Sequence, residues 1–462
     1  MRSVLPKLQA LALRADCPTD CRPAGWICVQ LALLLLPSSA LLAGLALLAA
    51  ITVFRPSAQP APLTRPESRW LLLLSLLMLL GSFWAIRGWV AWLGLFNWIP
   101  FFWFYLAIQP YLGTDGSRWR LGQWLIAGTV PVIAVSLLQK LFGWSELQQT
   151  LWGLIRWPMG DPQRGASLFD NPNVTGAWLV ITMPFLVAAC VKHGPWLRSK
   201  LTALAFTLSA TLALVVIASR NALAPLPVIW FLSCGRRGRQ AVLLVSLAYG
   251  ALVFLKLQGE PTAALTPLLD LAVPDLMIQK LQTMLQGTGT GSDLMAAIRR
   301  PTIYAAAFGY IASSPWVGLG ENGFGALYTT DQFKLHAGMS LGGTITHSHN
   351  LLLEFALSHG LPALLILVVV IGRPLLQALP LLQGRVQSLD RAWLLATLVM
   401  VWVHLWDLPS FDSRVNILDW LLVAAVAVIG RTASQEGPEG NRRAAQHSRD
   451  RLASAAGRPS GV

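Results

Sequence analysis

The sequence predicts an all-α fold, a polytopic transmembrane helix bundle of about 12 spans with one large extracytoplasmic helical loop. Of the 462 residues, 55% are hydrophobic and only 12% are charged, against roughly a quarter charged in a typical soluble domain. Apolar runs such as residues 27–53, 70–86, 121–142 and 392–408 recur along the chain, in or above the range of roughly 17 to 25 residues that a spanning helix needs. Between two apolar blocks lies a polar interval of about 90 residues, from Gln258 to Thr346, and a stretch of that length between elements is normally functional or disordered. It carries Trp316, Phe324, Tyr328 and Phe333 with few charges, which is the composition of a segment that folds against something.

Residues 1–23 are polar, and the apolar run after them is too long for a cleavable signal and lacks a convincing cleavage site, so that run would act as its own signal. Pro37-Ser38-Ser39 interrupts it. One helix of the full length would exceed the bilayer, so the run reads as two short spans, 25–36 and 40–54, turning at the proline. Further spans fall at 70–86, 89–112, 121–142, 174–191, 201–219, 222–234, 241–256, 351–372, 392–408 and 415–430. Basic residues cluster at span ends, in Arg118/Arg120, Lys192/Arg198/Lys200, Arg236-Arg237-Gly238-Arg239 and Arg373/Arg385/Arg391. If spans alternate, all of these share one side, the cytoplasm.

The expected organisation is therefore a cytoplasmic N-terminus (1–24), an N-terminal membrane block (25–257), the large extracytoplasmic loop (258–346), a C-terminal membrane block (347–430) and a disordered basic cytoplasmic tail (431–462). The net charge of +14 reads as topology signal, and no nucleic-acid partner is expected. Five scattered cysteines do not suggest a disulfide framework, and Cys17-x3-Cys21 has no second pair nearby to complete a metal site.

Within the loop, residues 275–286 place Leu276, Met277, Leu281, Met284 and Leu285 mostly opposite Gln279, Lys280, Gln282 and Gln286, the pattern of a short amphipathic helix. Pro301 suits the first turn of a second helix over 302–313, with Arg299 and Arg300 at its start. Arginine there opposes the helix dipole, a conflict that a bound anion would resolve.

Three polar features stand out from the apolar background. Arg220 lies between two spans, where a charge either faces a cavity or snorkels as an anchor. Arg300 presents a planar fork suited to phosphate oxygens, with a solvated Arg-Arg pair as the competing reading. His347 and His349 precede the apolar run from Leu351. At i and i+2 they do not share a helix face, and no third ligand lies at useful spacing, so no metal is expected. A histidine beside two arginines suits a general base acting on a substrate with an anionic leaving group, and an ordinary backbone hydrogen bond is the alternative. The glycine run Gly318, Gly320, Gly323 and Gly325 reads as a tight turn, since it lacks the strand-helix context of a nucleotide loop. His404 and Asp407, with Asp412 and Arg414 just beyond, read as polar pairing inside the bundle.

Together these motifs resemble the O-antigen ligase and polymerase-related superfamily. The resemblance runs from about residue 169 to residue 364. Phe169-Asp-Asn-Pro-Asn173 is similar to the family's Phe-x-Asn-Pro-Asn segment, and Ser219-Arg220-Asn221 to its Ser-Arg-Gly, with Asn for Gly. Arg300-Pro-Thr-Ile-Tyr304 resembles its Arg-x3-Trp, with Tyr for Trp. Ser314-Pro-Trp-Val-Gly-Leu-Gly-Glu-Asn-Gly-Phe324 and His347-Ser-His-Asn350, followed by an apolar helix and His359-Gly360, match best. The resemblance implies transfer of a glycan from a polyprenyl-diphosphate carrier to a lipid or saccharide acceptor at the outer face of the bacterial inner membrane, with no cofactor and no metal. Position by position, it implies that Arg220 and Arg300 hold the diphosphate and that His349 deprotonates or orients the acceptor hydroxyl. His347, Asn350 and Arg299 are the expected further substrate contacts. The same superfamily offers two alternatives, a bicarbonate or anion transporter and a polysaccharide polymerase.

Overall fold

The computed structural model describes residues 13–57, 65–143, 149–150, 155–156, 166–169, 171–190, 199–217, 219–234, 236–258, 273, 275, 278, 282, 292–335, 346–382 and 389–433. The fold is helical, apart from a minimal antiparallel hairpin that pairs Gln149–Thr150 with Ile155–Arg156. Helices α1 (Pro23–Leu35) and α2 (Ala40–Thr52) pack against each other on either side of the Pro37 turn, as the sequence predicts. Ser39 caps α2 by accepting from Leu42 N. Next come α3 (Pro66–Ser82), α4 (Trp89–Gly94) and α5 (Ile99–Ile108). Helix α6 (Asp115–Phe142) opens on a capping box between Thr114 and Ser117 and closes at Gly143 in the left-handed conformation, a pairing of start and stop signals that fixes both ends.

Helices α7 (Pro172–Ala189), α8 (Lys200–Ile217), α9 (Arg220–Leu223), α10 (Leu226–Ser233) and α11 (Arg236–Gln258) complete the first block. Helices α12 (Ser292–Ser313) and α13 (Gly323–Leu335) follow, then α14 (Leu351–Ala378), α15 (Asp390–His404) and α16 (Ser413–Ala433). Helix α7 is the hub, packed on α6, α8, α9, α10 and α15. Trp178 and Phe185 on α7 and Trp393 on α15 are among the largest fully buried side chains.

Among the described residues, seven helices are long and apolar enough to cross a membrane, and α1 and α2 are shorter apolar helices. The expected count of twelve is not confirmed, and α3 and α15, at 17 and 15 residues, fall short of a full crossing. The span expected over 222–234 is two pieces, α9 and α10, of 4 and 8 residues, about 6 Å and 12 Å of helix at 1.5 Å per residue. Pro225 and Pro227 explain the break, because proline removes a backbone donor and crowds the preceding turn. The basic connection Arg236–Arg239 is the first turn of α11. Arg118 is not a solvated loop charge either: it is 2% exposed and held by Asp115, Asp390 and the Leu112 carbonyl.

The long loop is folded where it is described. Ile303, Ala307 and Ile311 of α12 form a small core with Phe324 and Tyr328 of α13 and Ala356 and Leu357 of α14, whereas Trp316 is exposed. Pro301 lies inside α12, which begins at Ser292. Arg299 and Arg300 therefore do not start a helix, and the dipole argument for an anion there loses its premise. Their side chains lie outside the described residues. So does most of the amphipathic segment expected over 275–286, of which Asp275, Ile278 and Gln282 are helical. Residues 1–12 and 434–462 also lie outside the described residues, and with them most of the expected terminal segments.

Helix α14 breaks at Gly360, whose φ of 82° suits glycine far better than any residue with a Cβ. Pro362 has no N–H to give the Ser358 carbonyl, and Leu361 N turns to Pro315 O, freeing Leu357 O as well. The glycine run fills both gaps: Leu319 N donates to Leu357 O at 2.8 Å and Gly320 N to Ser358 O at 2.9 Å. The sequence expectation of a tight turn is thus specific. The turn plugs a broken helix, with Gly318 so close to the Ser358–His359 backbone that an added Cβ would lie 2.5 Å from it. Under the break, Glu321 accepts from Trp98 Nε1 at 2.8 Å and pairs with His359 Nε2 at 2.8 Å, with both partners of the pair buried. His359 is therefore a core residue.

Candidate functional site

The site is built on the short loop 346–350, which enters α14, and on the turn that leaves α15. Asn350 caps α14 by accepting from Leu353 N at 3.0 Å, and its Nδ2 donates to Leu405 O at 2.9 Å. One turn into α14, buried Glu354 accepts from Ser348 N at 2.7 Å. Held from both sides, His349 sits between them with φ of 56°, a left-handed conformation uncommon for a residue with a side chain and a form of backbone strain that clusters at functional sites.

His349 Nδ1 lies 3.0 Å from Asp407 Oδ1. Asp407 also accepts from Leu408 N at 2.9 Å, which fixes the carboxylate. With the carboxylate as acceptor, Nδ1 is the nitrogen that carries the proton in the neutral ring, which leaves the lone pair of that form on Nε2. His347 differs from its neighbour. Its Nδ1 accepts from His349 N at 3.2 Å and its ring meets those of His349 and Phe411 edge-on at 4.2 and 5.4 Å. Burial, reinforced by His349, pushes its imidazolium down to about 4, so His347 is neutral near pH 7.

Arg220 opens α9 and is exposed. The next residue, Asn221, donates from Nδ2 to Val403 O at 3.0 Å, and its carbonyl accepts from Trp402 Nε1 at 3.3 Å. Asn221 and Asn350 thus tether the Arg220 and His349 segments to carbonyls two residues apart at the end of α15. The asparagine that replaces glycine after Arg220 has this tether as its structural role. Nearby, Arg414 grips Asp412, donates to Leu168 O at 2.6 Å and Pro37 O at 3.2 Å, and lies 4.2 Å over the Phe169 ring. That grip gives the Phe169–Asn173 motif a place in the fold.

Of the expected site residues, the structure gathers His347, His349 and Asn350 into one loop and brings Arg220 to the same helix end. It leaves Arg299 and Arg300 without described side chains. Sequence reasoning missed Asp407 as the partner of His349, having paired it with His404. His404 instead lies 3.2 Å from Asp419, one turn and a half into α16. Glu354 was missed too. A glutamate within an otherwise apolar run was the available signal, since a buried carboxylate is costly without a partner.

Beside the loop, from Leu351 and Leu405 down between α14, α15 and α16, runs an apolar cavity of about 220 Å³, with Trp98, Val368 and Trp420 on its walls.

Residues 173–368 match the family model described as O-antigen ligase. The match supports a place for this chain in an O-antigen ligase-related superfamily and, in general terms, a function of the ligase and polymerase kind, and the seven apolar helices fit a multi-pass membrane protein. No curated protein matches the chain.

Proposed function

We propose that this protein moves a glycan from a polyprenyl-diphosphate carrier to an acceptor hydroxyl at the outer face of the bacterial inner membrane. The long loop would lie outside, and the N-terminus and tail would lie in the cytoplasm. The observation that carries the reading is the Asp407–His349 pair, a histidine with one ring nitrogen fixed by a carboxylate and the other left to take a proton. In the proposed step His349 Nε2 takes the acceptor hydroxyl proton as that oxygen bonds the anomeric carbon. The bond from this carbon to the diphosphate oxygen breaks, and its electron pair leaves with the polyprenyl diphosphate. Asp407 stabilises the imidazolium that results.

A diphosphate leaves readily once its charge is met, which is the part assigned to Arg220 and Arg300. His347, Asn350 and Arg299 are assigned to substrate contact, and the apolar cavity suits a lipid chain. The test is transfer by the purified protein from a polyprenyl-diphosphate-linked glycan. His349→Ala is expected to lower the rate by about 10²- to 10⁴-fold while the protein still folds, as a cooperative thermal unfolding transition would show. Undiminished transfer would remove His349 as base, and inorganic-carbon flux into vesicles without any transfer would replace the reading with an anion transporter.

A further inference from the structure

We infer that His347, His349 and Asp407 also form a binding site for a divalent transition-metal ion such as zinc, and that its occupancy silences the site. One ring nitrogen from each histidine and one carboxylate oxygen lie within 4.8 Å of one another. Small side-chain rotations bring such a set to the roughly 2.0–2.2 Å bonds that zinc makes with these atoms. Two imidazoles and a carboxylate suit zinc and leave coordination positions open, whereas magnesium and calcium favour all-oxygen sites. The third ligand was invisible to spacing because Asp407 stands 58 residues after His349.

The segments that carry the donors are held in place before any ion arrives. Glu354 and Leu405 hold the histidine loop through Ser348 and Asn350, and Leu408 N holds the carboxylate. They are also reachable, with the His349 side chain 31% and the Asp407 side chain 16% exposed.

Silencing rests on the transferase reading and follows from the two ring nitrogens. An ion on Nε2 takes the lone pair that would accept the hydroxyl proton. An ion on Nδ1 displaces the proton there, and the neutral ring then carries its proton on Nε2. Either way no base faces the acceptor. Zinc would thus be an inhibitor of this site and not its cofactor.

Zinc titrated into the purified full-length protein against a chromophoric chelator should report one saturable site. His347→Gln and Asp407→Asn should each weaken it by more than about tenfold, while the Cys17→Ser/Cys21→Ser double variant keeps it. Glycan transfer should fall over the same zinc range and recover with EDTA. No saturable binding, or binding that survives in the His347→Gln/Asp407→Asn double variant, would overturn the inference. The titration needs no glycan donor, so the two readings fail separately. A protein that binds zinc but transfers nothing sinks the transferase alone, and one that transfers but ignores zinc sinks this site alone.

Discussion

Replacing Asp407 with asparagine tests the proposed site most directly, because it keeps the shape of the side chain and removes its charge. In the native chain the carboxylate lies 3.0 Å from His349 Nδ1. Unit charges about 4 Å apart attract by about 4 kcal/mol at an effective dielectric constant near 20. Both side chains keep some contact with solvent, and screening reduces this to about 2 kcal/mol of stabilisation of the imidazolium. That alone slows the step about 30-fold, at 1.36 kcal/mol for each factor of ten. Asparagine adds a second loss, since its amide can turn its N–H group to the ring, make Nδ1 an acceptor and move the ring proton to Nε2. Together the two effects predict a fall in kcat of about 10²- to 10⁴-fold. Steady-state transfer with saturating lipid-linked glycan measures it, with thermal unfolding as the check on folding. A kcat within about threefold of the native value would refute the assignment of Asp407 and the Nε2 base with it.

Glu354→Ala strips the acceptor from the buried Ser348 N–H, an expected loss of about 1–3 kcal/mol seen as a lower unfolding midpoint, and Glu354→Gln should regain most of it. Gly360→Ala places a Cβ 2.4 Å from Trp316 O at φ of 82° and should cost about 1–3 kcal/mol or more; an unchanged midpoint would mean that the break in α14 is relaxed. Asn221→Ala cuts one tether to α15 and should reduce transfer by about ten- to a hundredfold while the midpoint stays near native. Arg414→Ala leaves Asp412 unpaired and is expected to lower stability by about 3 kcal/mol, read by thermal unfolding.

The helices were legible because apolar runs, caps and prolines are local signals. The turn at Pro37 and the long helix α16 follow from a few neighbouring residues. The breaks were harder to see. Pro225 and Pro227 cut an apolar run that hydropathy alone joins, and Pro301 sits inside a helix that local rules would start there. The break at Gly360 depends on a loop some forty residues earlier, which supplies the missing donors to Leu357 O and Ser358 O. In the site, the histidine loop announced itself, but its partners did not. Asp407 lies closer in sequence to His404 than to His349, and only packing decides that His404 turns to Asp419. Long-range pairing of this kind leaves no periodic trace in one sequence.

The splice between the glycine run and α14 has a mechanical consequence. Residues 315–320 are bonded across the Gly360 break, and the cluster of Ile303, Phe324 and Tyr328 sits on the first turns of α14. Helices α12 and α13 and the opening segment of α14 therefore pack as one unit that carries the histidine loop at its end, and the glycine run ties that unit to the rest of α14. Packing of α12 and α13 and placement of the histidine loop are thereby coupled through the first turns of α14.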